Sequence, residues 1–259
     1  MSDEHEKLLF DKVWRLSHLY KIRTKAEGYE GQTVNFSPNF SQRELFKIID
    51  NQEKKRIIVL KPRKLGMTTG CILYALDRAM YYPNQWCRSI AHRRETVSSL
   101  FENIALFAFN EIDPELRVSI KHSTRSELNF AEIGSKYSID VEARGETPTF
   151  LHISEAAYIE DEVKLQDTLI SLPRSSVGIA ESTAHGKGGW FYDTFTKNYE
   201  LMKDGREPEW YPLFFAWFQD PYNKLQCPKG YEWKHPDEIQ EMRLEFPEIT
   251  DDQFYWWDR

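Results

Sequence analysis

The chain has 259 residues, of which 41% are hydrophobic, 14% aromatic and 29% charged, and its formal net charge is −7. These values predict one large α/β core with a smaller appended subdomain and a soluble surface, since there is enough apolar material to cover a sheet on both faces. The acidic charge counts against a protein that coats nucleic acid along its whole surface, and without a long apolar run or a signal peptide we expect a cytosolic protein with no membrane partner.

The first 39 residues predict a helical extension ahead of the main domain. Apolar residues recur at helical spacing from Leu8 to Tyr20 and predict an amphipathic helix. Glycines and a proline between Glu27 and Asn39 predict a loop. Helical periodicity resumes in SQRELFKIIDN, for which Ser41 is the expected N-cap.

Two strand–helix units follow the extension. RIIVL (Arg56–Leu60) is a β-branched run of the kind that forms a buried parallel strand, and Thr68–Tyr81 has helical spacing. CRSIA predicts the next strand and Arg94–Phe109 its helix. Repeated units of this kind pair in parallel through right-handed crossovers, so we expect a mostly parallel central sheet flanked by helices.

Two further buried strands end in polar pairs. TFLHI is followed by Ser154 and Glu155, and SVGIAE by Ser182 and Thr183. Before them, RVSIKHS and KYSIDVEA alternate in polarity and predict an antiparallel hairpin or edge strands. Because open α/β sheets bind ligands at the carboxyl ends of their strands, the polar pairs predict the edge that carries the site.

The C-terminal part differs in composition from the rest. From Asp204 the sequence is rich in aromatic residues and proline, and a charged helical stretch follows at Pro236–Phe246. We therefore expect three segments: an N-terminal extension over residues 1–39, a core over 40–203 and a second subdomain over 204–259.

The segment KPRKLGMTT between the first strand and its helix has the character of a phosphate-binding loop. Against G-x-x-x-x-G-K-[ST], Gly66 and Thr68 are in register, but Lys61 stands at the first glycine and Met67 at the lysine. A basic strand-to-helix turn without nucleotide is the alternative, and the preceding strand and following helix favour the loop. The predicted nucleotide-binding residues are Lys61, Pro62, Arg63, Lys64, Leu65, Gly66, Met67, Thr68 and Thr69.

The pair at the end of TFLHI predicts the hydrolytic chemistry. Hydrolysis needs an acidic group that orients and activates water, and Glu155 fits that role. Ser154 stands where an aspartate is usual, so Mg²⁺ would be held by Thr68, Ser154 and Glu155, partly through water. The alternative for Glu155 is a carboxylate at a helix start, stabilised by the helix dipole.

Three further elements complete the predicted site. Ser182 and Thr183 are placed to sense a γ-phosphate and couple hydrolysis to movement, unless ESTAHGKGG is only a strand with a glycine-rich turn. Arg144 is either an arginine finger or an ordinary ion-pair residue. Phe40 and Gln42 offer an aromatic face and an amide edge to an adenine, although an exposed helical glutamine is the simpler interpretation.

Other site chemistries have no motif in the sequence. H-E-x-x-H, paired C-x-x-C and G-x-S-x-G are absent. Cys71, Cys87 and Cys227 lack metal-ligand spacing and predict no disulfide framework. His152 alternates with apolar residues of a strand and is expected to be structural.

Three motifs in order, KPRKLGMTT, HISEAA and ESTAHGKGGWFYDTF, resemble the ATPase half of the large terminase subunit of tailed bacteriophages. The resemblance runs from about residue 40 to the C-terminus, where LFFAWFQDPYN and EITDDQFYWWDR are similar to the lid of that family. It implies an α/β P-loop NTPase fold of the ASCE/RecA-like class with a small C-terminal lid subdomain, and ATP and Mg²⁺ as ligands. By position it gives phosphate contacts to Lys61 and Arg63, magnesium ligation to Thr68, water activation to Glu155, coupling to Ser182 and Thr183, and adenine contact to Gln42.

The resemblance also implies partners and a place of action. The chain would form a homo-oligomeric ring in the host cytoplasm, transiently at the portal vertex of a procapsid, with double-stranded DNA, the portal protein and the small terminase subunit as partners. A nuclease domain would follow in the full-length protein, so we expect a fragment that hydrolyses ATP and does not cleave DNA. A helicase-like P-loop translocase and a non-hydrolysing nucleotide-binding module are the competing hypotheses.

Overall fold

The computed structural model describes residues 9–24, 28–51, 53–142 and 147–259. The chain divides into two compact units, Met1–Leu213 and Phe214–Arg259. This division falls after the boundary expected at residues 203–204, and it leaves the N-terminal segment inside the first unit. No helix of the described residues has the length and hydropathy to span a bilayer.

The first unit is built on one large sheet and a small hairpin. The strands are β1 (Lys21–Arg23), β2 (Thr33–Asn35), β3 (Arg56–Leu60), β4 (Trp86–Ile90), β5 (His122–Ser123), β6 (Glu127–Phe130), β7 (Ser135–Asp140), β8 (Phe150–Ser154), β9 (Val177–Ser182) and β10 (Tyr211–Phe214). β1 and β2 pair with each other, and the other eight form a sheet of order β10-β3-β9-β8-β4-β7-β6-β5. The pairs β3–β9, β9–β8, β8–β4 and β4–β7 are parallel, which confirms the predicted central sheet.

Helices flank this sheet, and two more form the second unit. They are α1 (Lys12–His18), α2 (Phe40–Asn51), α3 (Met67–Tyr81), α4 (Arg94–Leu100), α5 (Phe107–Asn110), α6 (Glu162–Ser171), α7 (Gly189–Lys203), α8 (Pro236–Glu245) and α9 (Asp251–Asp258). A π-helical segment, Phe101–Leu106, joins α4 to α5 within the helix expected at residues 94–109. The middle residues of β3 and all of β8 are buried, as their apolar sequences require.

Three local expectations were wrong. α1 lies within the helix expected from Leu8 to Tyr20, but the loop expected between Glu27 and Asn39 contains β2, which pairs with β1 as a hairpin. Asn39 caps α2 in place of Ser41, because its side chain accepts a hydrogen bond from the Gln42 N–H at 3.0 Å. Only His122–Ser123 of the expected segment RVSIKHS forms a strand, the edge strand β5, and the antiparallel partner of β7 is β6, whose sequence is ELNF.

A buried ion pair ties the N-terminal segment to α3. Arg15 donates from Nε to Asp77 Oδ1 at 2.8 Å and from Nη2 to Oδ2 at 2.7 Å. The Tyr20 hydroxyl donates to the same carboxylate at 3.0 Å. The bidentate geometry pairs both buried charges. It therefore fixes α1, and Tyr20 just before β1, against α3, the helix that follows the predicted phosphate loop.

The second unit has its own small core. Ile239 of α8, Ile249 from the segment before α9, and Phe254 of α9 are buried together, and tryptophan and phenylalanine side chains pack around them. A capping box of Thr250 with Gln253 starts α9.

Candidate nucleotide-binding site

The site lies at the carboxyl ends of β3, β9 and β8, which are neighbours in the sheet. The predicted loop leaves β3 at Lys61 and enters α3 at Met67. Two of its residues, Lys64 and Gly66, have left-handed backbones with φ of 65° and 71°. This conformation turns successive backbone groups into a tight curve ahead of a helix N-terminus, which is the geometry that receives phosphate oxygens.

Lys61 is the cation at the centre of the site. Its Nζ lies 3.1 Å from Glu155 Oε1 and 3.1 Å from Glu181 Oε2. Its backbone N–H donates to the Ser182 carbonyl at 3.1 Å, which fixes the first residue of the loop to β9. Burial of Lys61 opposes its charge, but the nearby carboxylates of Glu181 and Glu155 outweigh that effect and raise its pKa. Lys61 is therefore charged at neutral pH.

Glu181 is a site residue that the sequence prediction missed. It is fully buried on β9, where it accepts a hydrogen bond from the Thr68 hydroxyl at 2.6 Å. Burial alone would raise its pKa, but His152, Lys61 and Thr68 lower it to about 2. A carboxylate at the end of the apolar run VGIA, directly before the Ser–Thr pair, was the signal that could have identified it.

Thr68 and Ser154 meet beside this carboxylate. The Thr68 Oγ1 at the start of α3 lies 3.2 Å from Ser154 Oγ, at the end of β8. The structure thus brings together the two hydroxyls predicted for the metal site. His152, two residues earlier on β8, has Ser89 at 3.1 Å from Nδ1 and Glu181 Oε1 at 3.4 Å from Nε2, as expected for a structural histidine.

Glu155 follows β8 in a left-handed conformation with φ of 51°. This backbone is unfavourable for a residue with a side chain, and it commonly marks functional sites. Glu155 Oε2 accepts from the Thr183 N–H at 3.3 Å and the Ser182 hydroxyl at 3.4 Å. The side chain is 27% exposed, so it is held by β9 and by Lys61 and still reaches solvent.

Tyr158 extends this hydrogen-bond chain and was also missed from the sequence. Its hydroxyl lies 3.2 Å from Thr183 Oγ1. That hydrogen bond and one with Arg63 lower its pKa. The Tyr158 ring also packs on His185, with centroids 4.1 Å apart. The exposed Arg63 of the loop is thereby connected to the end of β9.

Gln42 contacts the loop itself. Its buried amide donates from Nε2 to the Gly66 carbonyl at 2.7 Å and accepts from the Asn39 N–H at 2.9 Å. Asn39 in turn donates to the Leu65 carbonyl at 2.8 Å. Gln42 therefore shapes the loop, and its contact with an adenine stays a prediction.

The remaining predicted residues are distributed around this centre. Leu65 and Met67 are buried in the core, so Met67 anchors the start of α3 by apolar packing. Lys64 is exposed, while Pro62 and Thr69 are half-buried. Arg144 lies outside the described residues.

The oxygen atoms around Thr68 fit a magnesium ion that arrives with a nucleotide. Mg²⁺ prefers oxygen ligands and is usually held by one or two carboxylates, water and substrate phosphates. Thr68, Ser154 and Glu181 offer two hydroxyls and a carboxylate, and the Thr68 hydroxyl contacts both of the others. Within residues 9–24, 28–51, 53–142 and 147–259, no group of three or more His, Cys, Asp or Glu could hold a metal ion by itself.

Comparisons with known proteins bear on the fold. No protein-family model and no curated protein matches the sequence. Among solved structures, the large terminase ATPase domain of Thermus phage P74-26 matches with a TM-score of 0.55 and 17% identity over 98% of this chain and 97% of that domain. The HK97 bacteriophage large terminase matches with a TM-score of 0.60 and 14% identity over 98% of this chain and 50% of its own length. The described chain therefore has the α/β fold of a large terminase ATPase domain.

Proposed function

We propose that this chain is an ATP-hydrolysing motor domain that drives double-stranded DNA into a procapsid. The observation that carries the proposal is that Lys61 and Glu155, directly after β3 and β8, and Thr68, at the start of α3, lie around the buried carboxylate of Glu181 on β9, with a left-handed loop between Lys61 and Thr68. A structural ion pair would not require a loop, a hydroxyl and a partly exposed carboxylate at one sheet edge. Similarity of fold to terminase ATPase domains supports the same function.

The loop and Lys61 would bind the phosphates. Lys61 is charged and already sits at the mouth of the loop, and the exposed Arg63 adds a second cation. Thr68, at the start of α3, is placed to hold Mg²⁺, which neutralises charge on phosphate oxygens when it binds with the nucleotide. Binding would thus use backbone N–H groups, two cations and one hydroxyl.

Glu155 would orient and deprotonate the attacking water. Its Oε2 is fixed by the Thr183 N–H and the Ser182 hydroxyl, and its Oε1 contacts Lys61. A carboxylate held in this way can accept a proton at a defined position without reorganising, and its partial exposure leaves access for water.

The same contacts would couple hydrolysis to movement. Ser182 and Thr183 bond Glu155 directly, and Tyr158 links Thr183 to Arg63. When the charge on the γ-phosphate changes, these hydrogen bonds are the ones that must rearrange. An arginine-finger role for Arg144 belongs to this proposal.

The proposed partners follow from the similarity to packaging proteins. They are double-stranded DNA, a portal protein, a small terminase subunit and further copies of the chain in a ring, in the host cytoplasm and at the portal vertex. The chain spans half the length of the HK97 large terminase. We propose that this part of the protein carries ATP hydrolysis and not DNA cleavage.

Steady-state phosphate release tests the proposal. Glu155→Gln keeps the size of the side chain and removes the base, so kcat should fall by roughly 10²- to 10⁴-fold. Nucleotide affinity should remain near the wild-type value. Glu160→Gln, at an exposed position nearby, is the matched control and should leave kcat unchanged.

Two results would count against the function. Absence of ATP hydrolysis by the wild type, with or without DNA, would reject the motor. Unchanged phosphate release by Glu155→Gln would reject the catalytic assignment. Protection of double-stranded DNA from added nuclease in the presence of procapsids and ATP tests packaging itself.

A further inference from the structure

We propose that Glu181, on β9, supplies the carboxylate that holds nucleotide-bound Mg²⁺, in the role for which β8 offers only the hydroxyl of Ser154. This inference rests on the proposed nucleotide-binding function. It adds a metal-holding residue at a position that the motif pattern does not mark.

The register of the sheet places the two side chains together. Ser154 and Glu181 are direct partners in the parallel β8–β9 pair. In-register partners of neighbouring strands project from the same face, so a carboxylate on β9 reaches the region that a carboxylate on β8 would reach. Both side chains contact the same atom, Thr68 Oγ1, at 2.6 Å from Glu181 and 3.2 Å from Ser154.

The electrostatics of Lys61 support the proposal. Glu181 is fully buried, and its carboxylate Oε2 lies 3.1 Å from the ammonium Nζ of Lys61, which carries the opposite charge. A buried carboxylate is costly without a counter-charge. When Lys61 turns to a phosphate it weakens its contact with Glu181, and the cation that enters with the nucleotide can replace it.

Glu155 is less suited to the same task. Its carboxylate is already engaged by the Thr183 N–H and the Ser182 hydroxyl, and it does not contact Thr68 in the structure. The positions of the two acids therefore suit different roles, metal binding for Glu181 and water activation for Glu155. Glu181 lies under Thr68, and Glu155 lies at the solvent-facing edge.

Metal binding can be measured without turnover. Mn²⁺ binding to the ADP complex, followed by electron paramagnetic resonance, reports the metal site, and ADP affinity in Mg²⁺ or in EDTA reports the metal's share of nucleotide binding. Glu181→Gln should weaken Mn²⁺ binding by roughly 10- to 100-fold, a loss of the size typical for groups that support a metal site. Its ADP affinity in EDTA should not fall, because the change removes a negative charge near the phosphates.

A swap of the carboxylate between strands sharpens the test. Ser154→Asp combined with Glu181→Gln returns the acid to β8 and should recover Mn²⁺ affinity. Recovery is not expected if Glu181 only positions Lys61, and in that case Glu181→Gln would weaken ADP binding equally with Mg²⁺ and EDTA. Either of those results would overturn the proposal.

Folding and function are controlled separately. Far-ultraviolet circular dichroism and melting curves establish that each variant is folded. If Glu181→Gln does not fold, Glu181→Asp is used instead, because it keeps the carboxylate charge and shortens the side chain by one methylene. Unchanged Mn²⁺ affinity of Glu181→Asp would then reject the proposal. A wild type that binds no nucleotide rejects the proposed function, whereas a wild type that binds Mg²⁺–ADP, with an unaffected Glu181→Gln, rejects only this inference.

Discussion

The buried pair of Arg15 and Asp77 predicts a large loss of stability when one partner is removed. The two side chains are 2% and 0% exposed, and two hydrogen bonds of 2.8 and 2.7 Å join them. Asp77→Ala would leave the guanidinium buried and unpaired, which costs about 3–5 kcal/mol. Because domains are stable by about 5–15 kcal/mol, this change would remove about a fifth or more of the total.

Urea unfolding at pH 7, followed by far-ultraviolet circular dichroism, measures this loss. Arg15→Ala should cost a similar amount, and the double variant Arg15→Met/Asp77→Leu should cost less than either single change, since it leaves no unpaired charge. The partly exposed pair Lys21–Glu111, at 3.4 Å, is the control, and Lys21→Ala should cost about 0–1 kcal/mol.

The reasoning fails in two ways that the same curves reveal. An Asp77→Ala loss no larger than that of Lys21→Ala would mean that burial does not set the energy of the pair. A double variant whose loss equals the sum of the single losses would mean that the two side chains do not act together.

Three further predictions concern the candidate site. Folding lowers the pKa of Glu181 from 4.5 to about 2, so its ionised form should stabilise the fold by about 3 kcal/mol above pH 4.5 and lose that contribution as pH falls towards 2. The free energy of unfolding in urea should therefore depend less on pH in Glu181→Gln than in the wild type, and an equal pH dependence in the two proteins would refute this prediction. A Cβ at Gly70 would lie 2.9 Å from Gln42 Cγ, so Gly70→Ala should displace Gln42 from the Gly66 carbonyl. ADP should then bind more weakly in a fluorescence titration, and an unchanged ADP affinity would contradict this prediction. Tyr158→Phe removes the hydrogen bond with Thr183 and keeps the aromatic ring. The amount of DNA packaged for each ATP hydrolysed should fall while ATP hydrolysis persists, and an unchanged amount of DNA per ATP would contradict a coupling role for Tyr158.

Several elements were predictable because their signal is local. Arg56–Leu60 is a β-branched apolar run between a charged turn and a basic loop, and β3 has those same bounds. The polar pairs at residues 154–155 and 182–183 follow buried strands, and the adjacency of β8 and β9 brings them together. Local composition and the rule for parallel strands were sufficient in these cases.

The missed features depend on contacts between distant segments. The sequence marks Glu181 as a carboxylate after an apolar run, but its position beside Ser154 follows only from the register of β9 against β8, because a strand sequence alone does not say which neighbour a side chain faces. β6 has four residues of mixed polarity, too few for a clear alternation. Asn39 replaced Ser41 as the cap because its amide also bonds the Leu65 carbonyl, a contact from another part of the chain.

The short strands at the two borders of the sheet have a consequence for assembly. β5 has two residues, and β10 has four, one of which is Pro212. A strand this short presents few free backbone groups, and proline has no N–H to donate. Copies of the chain held side by side would therefore offer few edge N–H and C=O groups for a sheet that continues from one molecule to the next. Close association of copies would then not lead to aggregation through these edges.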